Sequence, residues 1–237
     1  MSMSVVFERL FKNRTVFVTG HTGFIGSWLV QWLCDLGANV VGYSLEPPTR
    51  PSLFETIGLE KRLGHIIGNV NDNSKIESSI QEHSPEFVFH LAAQPLVKSS
   101  YDQPLETIQT NVIGTVNLLE SIRKTSSVKV CVILTSDKCY ENRELDYAYR
   151  ETDPMGGYDP YSASKGAVEL VTSSYRNSFF NPKDFDRHGV SLSTSRIGNV
   201  IGGGDWAKNR LIPDSIRSLS TKQDIHIRNP TAVRPWQ

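Results

Sequence analysis

The chain has no surplus of either charge: 25 Lys and Arg stand against 25 Asp and Glu in 237 residues. Without a basic excess, nothing points to a general nucleic-acid or membrane-surface binder, although a local basic pocket for a phosphate stays open. Cysteine is scarce. Cys34, Cys131 and Cys139 form no CxxC pair, so neither a disulfide framework nor a metal site is expected, only reduced thiols. No run approaches the roughly 20 apolar residues that span a bilayer. Met1 to Phe11 lacks the succession of positive, apolar and small residues that marks an export signal. These absences predict a cytoplasmic protein with no membrane and no nucleic acid among its partners.

What is present is alternation. Apolar strands are expected at Thr15–Thr19, Asn39–Tyr43, His65–Asn69, Phe87–Leu91, Val128–Thr135 and Ser191–Arg196. Helical spacing lies between them at Gly26–Leu36, Ser74–Glu82, Pro104 to about Ser126 and Tyr161–Phe180. Gly37 stands where a helix C-terminus favours glycine, and Ile108, Val112, Thr115, Leu119 and Ile122 mark one face of the long third helix. Strands that alternate with helices and are continuously apolar predict a parallel sheet covered on both faces. Beyond Val200 the pattern changes to Gly202-Gly203-Gly204, a short helix near Leu211–Leu219 and a lone strand at Ile225–Arg228. The four tryptophans are expected mainly in the core or at interfaces.

Thr19-Gly20-His21-Thr22-Gly23-Phe24-Ile25-Gly26 follows the first strand and opens the first of these helices. Glycine is needed where the backbone turns tightly, where it approaches a pyrophosphate, and where helix packs on strand. The helix N-terminus then presents free N–H groups and a positive dipole end to phosphate. The expected fold is therefore α/β: a Rossmann-type doubly wound parallel sheet over residues 1–200, binding a dinucleotide. The beginning of a smaller C-terminal substrate-binding lobe follows over 201–237. The second strand ends Gly42-Tyr43-Ser44, without the acidic residue that usually binds the adenosine ribose, so NAD and NADP both stay open on local grounds. Asn69 either pairs with adenine or makes a strand-end turn. His21 and His90 are expected to pack or to support the site.

Tyr161 and Lys165 lie at i, i+4 on one helix face. A lysine ammonium there lowers the pKa of the phenol, which can then take a proton from a sugar hydroxyl. The fifth strand ends Thr135-Ser136-Asp137-Lys138, and ligands in such sheets sit at the carboxyl ends of strands. A hydroxyl, a carboxyl and an amine are thereby expected beside the cofactor.

These stretches, with His90-Leu91-Ala92-Ala93, and Asn111 and Gly114 in TNVIGT, resemble the extended short-chain dehydrogenase/reductase family over nearly the whole chain. HTGFIGSW, SLEPPTRPSLFE, HLAAQPLV, LTSDKCYENRE, PMGGYDPYSASKG, RNSFFNP and GNVIGGGDWAKNRLIPD are more specific, and resemble its CDP-glucose 4,6-dehydratase branch. The resemblance implies bound NAD, held by Gly20, Thr22, Gly23, Phe24, Ile25, Gly26, Asn69, Val70, Leu91, Ala92, Ala93, Asn111, Tyr161 and Lys165. It implies CDP-glucose as substrate, with Gln94, Asn199 and Arg234 contacting it, and a role in deoxysugar synthesis for lipopolysaccharide O-antigen. Tyr161 and Ser136 would serve C4 oxidation, Lys138 would take the C5 proton, and Asp137 would protonate the departing C6 hydroxyl. It implies a homodimer or a dimer of dimers, paired through the two long helices. Relatives of this kind run on by about a third, so the chain is expected to be C-terminally truncated, to bind NAD, and to turn over little alone. Another nucleotide-sugar dehydratase, an epimerase, and a dinucleotide-binding chain without activity remain the alternatives.

Overall fold

The computed structural model describes residues 3–143 and 147–237; Glu144, the last residue of the LTSDKCYENRE stretch, lies outside them. The elements follow in the order α1 (Met3–Phe11), β1 (Thr15–Thr19), α2 (Phe24–Asp35), β2 (Asn39–Ser44), α3 (Leu53–Thr56), β3 (Gly64–Ile67), α4 (Asn73–His83) and β4 (Phe87–His90). Then come α5 (Val97–Asp102), α6 (Pro104–Ile108), a π-helical turn (Gln109–Ile113), α7 (Gly114–Arg123) and β5 (Val130–Ser136). The chain continues through α8 (Pro160–Ser178), α9 (Phe185–His188), β6 (Ser191–Ile197) and α10 (Leu211–Ser220).

The six strands form one sheet in the order β3-β2-β1-β4-β5-β6, every pair parallel. The chain winds outward from β1 to β3, then returns to β4 and winds the other way. The reversal leaves a crevice beyond the carboxyl ends of β1 and β4, where ligands of such sheets bind. Side chains of a strand alternate between faces, and both faces here are covered. Phe17 of β1 joins Tyr43, Val88, Leu118, Ile133 and Val168 in one core. Val16 and Val18 join Val30, Leu33, Val40 and Phe87 in the other.

Four expectations need correction. The helix expected over Pro104 to Ser126 is broken by the π turn, which inserts one residue into the ladder and slips the helix phase. Ile108, expected on the packed face, is therefore exposed, whereas Thr107 and Asn111 are buried. Ile225–Arg228 forms no strand; it pairs with neither edge strand of the sheet, β3 or β6, and the bridge after β6 is instead Asn199 with Trp236. None of the tryptophans is in the core: Trp28, Trp32, Trp206 and Trp236 are 36–48% exposed. β3 also stops at Ile67, two residues before the expected Asn69. Among the described residues no helix is long and apolar enough to cross a membrane.

Candidate active site

The glycine turn after β1 is dictated by close backbone approaches. Gly20 has φ +73°, and a Cβ there would lie 2.7 Å from the Ala92 nitrogen. A Cβ on Gly26 would lie 2.1 Å from the Gly20 carbonyl oxygen. The fold itself thus explains Gly20 and Gly26. Gly23 is different: its nearest neighbour would be the Gly20 oxygen at 3.3 Å, a contact that a small shift relieves. Gly23 is the N-cap of α2, which has no side-chain cap. The free space before an uncapped 12-residue helix fits a phosphate group, and Phe24 and Ile25 form its half-buried first turn. Thr22, expected beside the cofactor, instead spends its hydroxyl on the fold. It is buried against Ser44 Oγ (2.8 Å) and the Leu45 carbonyl (2.9 Å), tying the turn to the end of β2.

Gly42 gives way to a ring. A Cβ there would lie 2.4 Å from His21 Cγ. His21 is fully buried, with Nε2 2.7 Å from His65 Nδ1 and its edge on Phe54. Burial and the neighbouring His65 hold the His21 pKa at about 3, so the ring is neutral. The Asn69 oxygen accepts from the Asn71 amide (2.9 Å), the strand-end turn anticipated as one of two roles. Val70 is buried beneath Gly114.

At the end of β4 a chain of hydrogen bonds sets the next segment. The amides of Leu91 and Ala92 both donate to Thr19 Oγ1 at 3.2 Å. Thr115 Oγ1 donates to the Asn111 carbonyl (2.6 Å), so it accepts from His90 Nε2 (3.1 Å), and Thr19 Oγ1 donates to His90 Nδ1 (2.7 Å). His90 is thereby fixed in one tautomer, and burial followed by the charge of Lys165 lowers its pKa to about 3. Ala93 follows, half-buried. Asn111, carried inward by the π turn, grips the backbone of Gln94 at both ends (2.8 and 3.2 Å) and donates to Ser164 Oγ (2.8 Å). Gln94, expected to contact substrate, folds its carboxamide back onto Leu96 and Thr107.

Asp159 caps α8 by accepting from the Ser162 amide (3.0 Å), and so fixes the turn that presents Tyr161. Tyr161 and Lys165 are both buried, and the phenol lies beside Ser136. Burial raises the phenol pKa, while Ser136 and the charge of Arg210 oppose the rise. Lys165 donates to the Leu134 carbonyl (3.1 Å). Burial depresses its pKa to about 8, against the pull of Glu169. Ser136 Oγ donates to Asp137 Oδ1 (3.0 Å), and Lys138 Nζ lies 3.9 Å from the same oxygen. The five residues expected to act therefore meet at one point.

Sequence reasoning missed the layer beneath. Glu169, one turn beyond Lys165, is buried and accepts from Thr135, from Thr194 (3.0 Å) and from Arg196 (2.9 Å). A glutamate at i+4 from Lys165 was the only available signal. Asn199 and Arg234 approach through backbone pairing, since the Asn199 amide donates to the Pro235 carbonyl (2.9 Å). The Arg234 side chain is exposed.

The chain matches the GDP-mannose 4,6 dehydratase family over residues 17–236 and belongs to that family. It is 57% identical over 230 residues to the CDP-glucose 4,6-dehydratase of Salmonella typhimurium, an alignment covering 97% of this chain and 64% of that protein. The chain thus spans a little under two thirds of that relative's length. Among solved structures, a Methanothermobacter thermautotrophicus epimerase superposes with TM-score 0.85 at 24% identity, covering 99% of this chain and 67% of that one. The UDP-glucose 4-epimerase of Thermus thermophilus, solved as a complex with NAD, has TM-score 0.68 and 29% identity, covering 82% and 58%.

Proposed function

We propose that the protein is an NAD-dependent dehydratase that converts CDP-glucose to CDP-4-keto-6-deoxyglucose. The observation that carries this reading is the meeting of Ser136, Asp137 and Lys138 with Tyr161 and Lys165 at the carboxyl end of β5. The 57% identity to the Salmonella CDP-glucose 4,6-dehydratase supports it, and the NAD complex of the Thermus epimerase supports the cofactor. An epimerase needs no acid and base for C5 and C6, whereas a dehydratase needs both.

The turn from Gly20 to Gly26 and the N-terminus of α2 would hold the pyrophosphate of NAD, and Lys165 its nicotinamide ribose. A bound NAD would take up the hydride from C4 and give it back at C6 after water has left, and Lys138 would return the proton at C5, so that the 4-keto-6-deoxy product balances. Tyr161 accepts the C4 hydroxyl proton as C4 is oxidised, with Ser136 steadying the same oxygen. The 4-ketone acidifies the C5 proton, which Lys138 removes, while Asp137 protonates the C6 oxygen as it leaves as water. These roles require a free amine on Lys138 and a protonated Asp137. Moving one proton from Nζ to Oδ1 reaches that state without changing the charge of the pair.

The free thiols Cys34, Cys131 and Cys139 suit a reducing cytoplasm. Leu105, Ile113, Leu170 and Phe179, on the helices around the π turn and on α8, are large exposed apolar residues and support pairing with a second copy.

The test is Lys138→Met in a complete enzyme, with CDP-glucose in deuterated water. Elimination should stop while C4 oxidation continues, so NADH absorbance builds up and C5 takes up no deuterium. Release of the 4-keto-6-deoxy sugar at the normal rate would remove Lys138 from the mechanism.

A further inference from the structure

Arg196 and Glu169 form an ion pair at 2.9 Å whose side chains are 15% and 4% exposed. Its position ties it to the site rather than to general cohesion. Glu169 lies one helical turn from Lys165 on α8, and its first oxygen accepts from Thr135, the residue before Ser136. Its second oxygen is shared by Thr194 and Arg196. Arg196 is itself held from above. Its guanidinium lies 4.9 Å over the Tyr140 ring and donates to the Tyr140 hydroxyl (2.8 Å).

Lys165 is buried, yet it bonds to the Leu134 carbonyl and not to the carboxylate one turn away. A buried ammonium with one neutral partner needs a nearby negative charge to stay protonated. A buried carboxylate without its own cation would draw that ammonium onto itself. The groups facing Lys165 are Glu169 on its own helix, Cys139 after β5 and His90 on β4. Those facing Glu169 are Arg196, Thr135, Thr194, Cys139 and Lys165 itself. Glu169 is thus the one carboxylate in this set, and Arg196 its one guanidinium.

We propose that Glu169 and Arg196 are positioning residues that set the charge of Lys165: Glu169 keeps the ammonium protonated, and Arg196 keeps Glu169 from capturing it. The catalytic meaning rests on the proposed dehydratase reading, in which Lys165 must remain free to face Tyr161 and the nicotinamide ribose. The charge relation does not, and it is measurable with no ligand present. Burial pushes Glu169 up, but its bonds from Arg196, Thr135 and Thr194 outweigh that and hold it ionised, as the proposal requires.

The experiment is an NMR titration of the Lys165 Nζ in the protein without NAD, the signal being assigned by its loss in Lys165→Met. Glu169→Gln removes the negative charge, so Lys165 should titrate lower, by about one pH unit. Arg196→Met frees the carboxylate, so Lys165 should titrate higher. The double variant removes both charges, so Lys165 should titrate below the parent value but above Glu169→Gln, where Arg196 is left uncompensated. It also leaves no uncompensated charge, which keeps the test decisive if Arg196→Met does not fold. Opposite shifts in the singles support the proposal, as does a downward shift in Glu169→Gln that is smaller but still present in the double. Unchanged titration, or the same direction in both singles, overturns it and makes the pair a structural tie between α8 and β6. A parent enzyme that releases no 4-keto-6-deoxy sugar from CDP-glucose would instead remove the dehydratase reading and leave this titration standing.

Discussion

The rim of the sheet and the segment after β6 differ in how their polar groups are held. Along the rim, Thr19, His90, Thr115, Asn111 and Gln94 form a continuous run of short bonds across β1, β4 and the π turn. Most of it is buried, where a polar group left unpaired costs about 1–3 kcal/mol, so the members hold one another in place. After β6 the chain rests on fewer and more exposed ties: the Asn199–Trp236 bridge, the Trp28 indole donating to the Gly203 carbonyl (3.0 Å), and the Asp205–Arg210 pair. Leu211, Ile216, Leu219 and Val233 remain exposed there. The difference teaches that the half of the site that would face the dinucleotide under the proposed function is preorganised by the sheet, whereas the half that would face the substrate draws little rigidity from these residues.

Acid should break the rim first. His21 and His90 stay neutral in the folded chain down to a pKa of about 3, whereas an unfolded histidine protonates near 6.5. The unfolded state therefore binds more protons between these values, and stability falls as pH drops from about 6.5 toward 3. The expected loss is on the order of several kcal/mol for the two rings together. Urea midpoints at pH 7, 5 and 4 should decline, and the slope should flatten in His90→Gln. A flat profile over this range would mean that the rim is not closed to protons.

Next in size is Tyr161→Phe. It keeps the ring that packs beneath Ser136 and removes only the acid–base group, so kcat should fall about 100-fold or more, about 2.7 kcal/mol of barrier. Steady-state rates of a complete enzyme with CDP-glucose measure this, and near-normal turnover would place the proton transfer elsewhere. The smallest effect is expected in the later segment. Trp28→Phe loses one exposed hydrogen bond to Gly203, and should lower stability by about 1 kcal/mol or less. A larger fall in the thermal midpoint would show that this segment is bound into the body after all.

Legibility followed the same division. The strands, the glycine turn and the Tyr161–Lys165 spacing were visible because local periodicity and glycine placement encode them. The π turn was not: it changes the phase of a helix without changing its composition, so Ile108 was assigned inward and Asn111 gave no sign of reaching Gln94. Thr22 and Gln94 were assigned outward because their partners, Ser44 and Thr107, lie 22 and 13 positions away. Arg196 meets Glu169 across 27 positions, and only the sheet order brings them together. The supposed strand at Ile225–Arg228 had the right residues but pairs with neither edge of the sheet.

The account depends most on Gly23, the glycine that the fold itself does not require. Calorimetric titration of NAD into the parent protein and into Gly23→Val tests it directly. The parent should show one saturable site, and the variant should keep its thermal midpoint within a few degrees yet bind at least about 100-fold more weakly, because the added side chain occupies the space of the pyrophosphate. Equal affinity in a folded Gly23→Val protein, or no NAD binding by the parent, would contradict the account.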